Sequence, residues 1–179
     1  DGAERWRYLH VAVGLGDQAR AMIQLSDGHL LVASSVARDR GSDLLLSKIH
    51  RETGALLWQQ IEAPAAFQDV LLRALPDGAA YVAIKVGTSN GARVRLLRLD
   101  GLSGGAQWRA DAGIVSSDLA EHPIALESSL DGDLVLLADE RGFNMSQQVS
   151  LIRLDGATGV RKWRRDLQGT AGAWADSLA

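Results

Sequence analysis

The chain has 179 residues, of which 46% are hydrophobic and 23% charged, and its formal net charge is −3. These values are typical of a folded soluble domain, and so small a net charge gives no indication of a nucleic-acid or membrane partner. Cysteine is absent, which excludes disulfides, thiolate metal sites and cysteine nucleophiles. No apolar run approaches the roughly 20 residues of a membrane-spanning helix.

The tryptophans mark an internal repeat. A glycine precedes a tryptophan by four residues at four places, which lie about 50 residues apart. The four pairs are Gly2 and Trp6, Gly54 and Trp58, Gly104 and Trp108, and Gly159 and Trp163.

A second landmark follows the same period. Asp-Gly occurs between two apolar runs at 27–28, 77–78 and 131–132. Asp-Gly in this setting predicts a β-hairpin, because glycine accepts the positive φ of a tight turn. Two landmarks in one register indicate a true repeat.

Each repeat is predicted to contain four short strands. In the second repeat they cover 69–75, 79–86, 94–100 and 106–111, and the second strand is almost wholly apolar. An apolar strand of this length predicts burial on both faces, and no segment shows a helical period. The sequence therefore predicts an all-β fold of four-stranded antiparallel sheets, and a repeat of about 50 residues is typical of β-propeller blades.

The predicted division of the chain follows the repeat. Residues 14–63, 64–113 and 114–168 form three complete blades, 1–13 the last strand of a preceding blade, and 169–179 the first strand of a further one. An open arc would leave sheet edges and faces uncovered. We therefore expect a larger ring, completed by self-association or by blades from another chain.

The turn before each tryptophan carries a longer motif. Asp155, Thr158, Gly159 and Trp163 form the pattern Asp-x-x-Thr-Gly-x-x-x-Trp. This pattern resembles the tryptophan-docking repeat of the PQQ-like (quinoprotein-type) β-propellers. The second repeat has Ser103 in the threonine place, between Asp100 and Gly104, and the first has His50 in the aspartate place, before Thr53. The resemblance implies that the tryptophans pack against neighbouring blades and are structural.

The resemblance favours the non-enzymatic branch of that family. Its quinone enzymes hold calcium and quinone through carboxylates and asparagine, beside paired cysteines. Here cysteine is absent, and Asn90 and Asn144 fall in predicted loops. The sequence predicts no catalytic, cofactor-binding or metal-binding residues. The histidines have no metal-ligand spacing; they are His10, His29, His50 and His122.

One stretch has the form of a catalytic motif. Residues 101–105 match the G-x-S-x-G nucleophile elbow, which requires a strand-to-helix turn. No helix is predicted after it, and Ser103 corresponds to Thr53 and Thr158 of the other repeats. We interpret Ser103 as a turn residue.

Binding residues are expected in loops that differ between repeats. The connections between second and third strands differ most, at 37–43, 87–93 and 140–148. Phe143 and Met145 are apolar residues in the last of them, and Arg161 and Arg165 flank Trp163 without counterparts beside Trp58. These four are candidate partner contacts. The alternatives are local loop packing for the first two and a solvated outer strand for the arginines.

The sequence thus predicts a non-catalytic scaffold that binds protein or peptide partners through its loops. By the resemblance we expect it outside the cytoplasm, and the preference for arginine over lysine favours a bacterial origin. Two alternatives stay open, an arc of a PQQ- and calcium-dependent dehydrogenase and the sensor domain of a signalling protein.

Overall fold

The computed structural model describes residues 4–8, 16–39, 41–62, 67–88, 91–112, 120–141 and 147–167. Within them, twelve strands form three four-stranded antiparallel sheets, and no helix occurs. The predicted all-β fold of four-stranded antiparallel sheets is confirmed. Residues 4–8 form no strand, while Gly2 and 169–179 lie outside the described residues.

Each sheet is an up-and-down meander whose strand order follows the chain. Sheet 1 contains β1 (Asp17–Gln24), β2 (Leu30–Ala37), β3 (Ser42–Ile49) and β4 (Leu56–Glu62). Sheet 2 contains β5 (Phe67–Ala74), β6 (Ala80–Thr88), β7 (Gly91–Leu99) and β8 (Ala106–Asp111). Sheet 3 contains β9 (Ala120–Ser128), β10 (Leu134–Arg141), β11 (Gln147–Leu154) and β12 (Arg161–Leu167). Sheets 2 and 3 also share one parallel pair, Ala92 and Ala120.

Sheet 2 is covered on both faces, which explains the apolar sequence of β6. Successive side chains of a strand point to opposite faces. Val82 and Ile84 pack in one core cluster with residues of sheet 1 such as Leu31. Tyr81 and Ala83 pack in a second cluster with residues of sheet 3. The sheets are therefore stacked in chain order, each against the next.

The stack has two distinct ends. The turn end carries the hairpins at 25–29, 75–79 and 129–133 and the turns before the outer strands at 50–55, 100–105 and 155–160. The loop end carries the β2–β3, β6–β7 and β10–β11 connections. The first strands contact one another, β1 with β5 and β5 with β9.

Candidate functional site

At the turn end, Trp58 and Trp108 each pack on a glycine turn of the following sheet, and Trp6 packs in the same way on the first such turn of sheet 1. The Nε1–H of Trp58 donates a hydrogen bond to the carbonyl of Gly101 at 3.2 Å, and its ring lies over Gly104. The same contacts recur for Trp6 with Arg51 (2.8 Å) and Gly54, and for Trp108 with Gly156 (2.9 Å) and Gly159. One form of junction therefore occurs three times in the described residues.

Glycine is required at these turns for two reasons. Gly104 has a φ of +75°, a region that other residues avoid. A Cβ at this position would also lie 2.7 Å from a ring carbon of Trp58. The flat indole therefore fits only because the turn has no side chain there.

The residue that begins each turn holds it closed. Asp100 Oδ1 accepts hydrogen bonds from the backbone N–H of Ser103 at 2.8 Å and from its hydroxyl at 2.9 Å. Asp155 does the same with Thr158, and these bonds, with Lys162, lower the pKa of Asp155 to about 2. His50 replaces aspartate in the first turn and accepts from the N–H of Thr53 through Nδ1. Ser103 is thus bonded within its turn, and β8 follows it.

Behind each hairpin, a cation on the third strand binds the hairpin aspartate. Lys48 Nζ lies 2.6 Å from Asp27 Oδ2 and 2.7 Å from the carbonyl of Gly101 in the next sheet. Burial acts to raise the pKa of Asp27, but the hydrogen bond and positive charge of Lys48, together with the contributions of His29, outweigh it, so the pKa is lowered. Arg98 with Asp77 and Arg153 with Asp131 repeat the pair. A cation stands ten residues before Trp58, Trp108 and Trp163; this recurrence was the sequence signal for the contact, which was not predicted.

The junction between sheets 2 and 3 has an additional bond. The hydroxyl of Tyr81 donates to the carbonyl of Gly132 at 2.5 Å, and its ring packs beside that of Trp108, with centroids 5.9 Å apart. Tyr81 is fully buried, and burial raises the pKa of its hydroxyl to about 12. The tryptophans, Tyr81 and the charged groups described at the turn end therefore all make contacts between sheets or within a sheet.

At the loop end, the strands run further than the sequence predicted, so the connections are shorter. Only 38–41, 89–90 and 142–146 separate the second and third strands. Phe143 and Met145, two of the candidate partner contacts, lie outside the described residues.

A buried polar position lies close to this end in all three sheets. Seven residues after the hairpin glycine, the second strand carries Ser35, Lys85 or Asp139, each less than a tenth exposed. Lys85 Nζ lies 2.8 Å from Nε2 of His122 on the first strand of sheet 3, and Ser35 accepts a hydrogen bond from Arg20. The same structural position thus holds a hydroxyl, a cation or an anion, unlike the repeated contacts of the turn end.

The surface of the loop end carries half-exposed arginines, each beside a carboxylate. Arg38 lies 2.7 Å from Asp43, and Arg93 lies 3.1 Å from Asp111. About half of each arginine side chain is exposed, 49% for Arg38 and 51% for Arg93. Both guanidinium groups are therefore held in place and remain accessible to a partner.

The two arginine candidates on β12 lie on an exposed outer strand. Arg161 and Arg165 are exposed, and Trp163 is half-buried. The neighbouring cations are used within sheet 3: Lys162 lies 2.8 Å from Asp133, and Arg164 lies 2.8 Å from Asp166. The basic run around Trp163 is thus divided between internal ion pairs and solvent-facing arginines.

The described residues contain no group of three or more histidine, aspartate or glutamate side chains that could hold a metal ion. No helix in the described part of the chain has the length and apolar character needed to cross a membrane. Comparison of the sequence with protein-family models and with curated proteins found no match.

Proposed function

We propose that the chain is an arc of a PQQ-like β-propeller that acts as a non-catalytic scaffold and binds protein or peptide partners at its loop end. Its place is outside the cytoplasm of a bacterium. One observation carries the proposal: the contacts of the turn end repeat from sheet to sheet, whereas those of the loop end differ. A rigid repeated support with one varied end is the usual arrangement of a repeat protein that binds partners.

The arrangement of the sheets supports the propeller. Four-stranded meanders stack in chain order, with their first strands in contact and their outer strands at the opposite side. The tryptophan contacts join the outer strands β4 and β8 to the following sheet. Blades that succeed one another around an axis would make both contacts.

The arginines at the loop end are suited to binding a peptide or protein partner. Arg38 and Arg93 are half-exposed and oriented by carboxylates. Arginine presents several N–H donors in a fixed plane and also stacks on aromatic rings. These groups suit backbone carbonyls, carboxylates and aromatic side chains of a partner.

The test first selects peptides that bind the protein and then uses variants to locate their binding site. A displayed random-peptide library is panned on the immobilised chain, and the affinity of recovered peptides is measured by calorimetry. We expect the double variant Arg38→Ala, Arg93→Ala to bind them at least about tenfold more weakly, the loss of one or two hydrogen bonds to a charged group.

Arg51→Ala is the matched control. Arg51 is exposed to a similar extent, 54% of its side chain, and lies at the turn end. It should leave peptide affinity unchanged. Peptides that respond to Arg51→Ala and not to the double variant would overturn the proposal, as would a library that yields no binder.

A further inference from the structure

The outer strand of sheet 1 has an open edge. β4 pairs with β3 and with no other strand of the described residues. The ladder to β3 is regular from Trp58 to Glu62, with a register shift at Leu57. Within the described part of the chain, the backbone groups on the other side of β4 have no strand partner, and such an edge can pair with a further strand.

The exposed side chains of β4 carry no charge. Leu57 and Ile61 are exposed by 46% and 56%, and Gln59 and Gln60 lie between them. The single charged residue of β4 is Glu62, which is buried and bonded to Arg109 of sheet 2. Exposed edge strands usually carry charges that prevent pairing with another chain.

The other outer strands carry such charges. β12 reads RKWRRDL, with four cations, and β8 reads AQWRAD. The position of Ile61, three residues after the tryptophan, is occupied by Asp111 in β8 and Asp166 in β12. Among the described residues all three outer strands have an unpaired edge, and the lack of exposed charge is particular to sheet 1.

We propose that two copies of this chain pair through β4, antiparallel, about a twofold axis at Gln59. This register places Gln59 opposite Gln59 of the second copy and Leu57 opposite its Ile61. Apolar residues then meet at both ends of the contact, and no like charges face each other. Two copies of β12 in the equivalent register would place Arg164 opposite Arg164 on the axis, which is unfavourable, although Lys162 would then lie opposite Asp166.

The chain offers a direct test because it contains no cysteine. In an antiparallel pair, directly opposite Cα atoms lie about 4.5–5.5 Å apart, within the range of a disulfide. Gln59→Cys should therefore form a covalent dimer under mild oxidation. Gln60→Cys is the matched control: its two cysteines would be diagonal neighbours at about 7–8 Å and should link far more slowly.

Light scattering behind size exclusion gives a second readout. We expect the unmodified chain to have twice the 19.1 kDa mass of one copy, and Ile61→Lys to restore the single mass. Leu102→Lys, on a residue that is 85% exposed in the turn before β8, should leave the dimer intact.

A single mass for the unmodified chain overturns the proposal. A dimer that survives Ile61→Lys, or equal cross-linking of the two cysteine variants, also overturns it. The proposal does not rest on partner binding at the loop end.

Discussion

At the scale of single residues, the contacts between tryptophans and turns depend on the absence of a side chain at glycine. Gly104 gives the backbone a left-handed conformation and gives Trp58 a flat surface. The indole then reaches the carbonyl of Gly101, so that packing and hydrogen bonding are satisfied by one side chain. A side chain in place of Gly104 would disturb both the packing of the Trp58 ring and its hydrogen bond to Gly101.

Gly104→Ala is therefore expected to destabilise the fold strongly. The added Cβ combines backbone strain with a clash against the ring of Trp58, about 3 kcal/mol in total. Gly132→Ala is the control, since Gly132 also has a positive φ, +84°, but a Cβ there would meet nothing within 4 Å. It should cost about 1 kcal/mol. Urea unfolding measures both, and equal losses would contradict the role given to the clash.

At the scale of elements, strands and hairpins of neighbouring sheets are joined by buried polar contacts. Tyr81 of β6 donates to the carbonyl of Gly132 in the β9–β10 hairpin. Lys48 of β3 binds the Gly101 carbonyl in the β7–β8 turn. Such bonds fix the position of one sheet on the next, which apolar packing alone does not.

The Tyr81 bond makes stability depend on pH. Burial raises the pKa of Tyr81 to about 12, whereas in the unfolded chain it is about 10. Between these values the unfolded chain has lost a proton that the folded chain retains, so the stability contributed by the neutral hydroxyl decreases as pH rises.

The variant Tyr81→Phe isolates this effect. At pH 8 it should be less stable than the unmodified chain by about 1–2 kcal/mol, because the Gly132 carbonyl loses its donor. At pH 11 the difference in free energy of unfolding should be smaller. A difference that stays the same at both pH values would show that Tyr81 does not titrate in this way.

Local patterns predicted the strands well and the contacts between sheets poorly. The second strand of sheet 2 was predicted at 79–86 and is Ala80–Thr88, because hairpin signals and apolar runs act over a few residues. The bond from Tyr81 to Gly132 joins residues 51 positions apart, and only the stacking of sheets brings them together. The row of Ser35, Lys85 and Asp139 was not predicted because its members share a position and no chemistry.

At the scale of the whole molecule, each sheet is stabilised by its contacts with the neighbouring sheet. Core clusters join sheet 1 to sheet 2 and sheet 2 to sheet 3. In such a series, the loss of one interface weakens the units beside it more than distant ones.

Trp108→Ala tests this arrangement. Trp108 is 9% exposed and lies between sheets 2 and 3, so its loss should cost about 3–5 kcal/mol at that interface. Amide hydrogen exchange should accelerate more in β10 and β11 than in β2 and β3. Trp58→Ala should show the reverse pattern. A uniform acceleration in all sheets would mean that the chain opens only as one cooperative unit.

The recurring junction also bears on how such a chain changes length. Trp6, Trp58 and Trp108 each contact a turn about one period further along, and these three turns have the same form. Duplication or deletion of a whole period would therefore bring a tryptophan against a turn that already fits it. Addition of complete repeats therefore requires no new kind of contact. Insertion of half a repeat would leave a tryptophan without a turn to pack on.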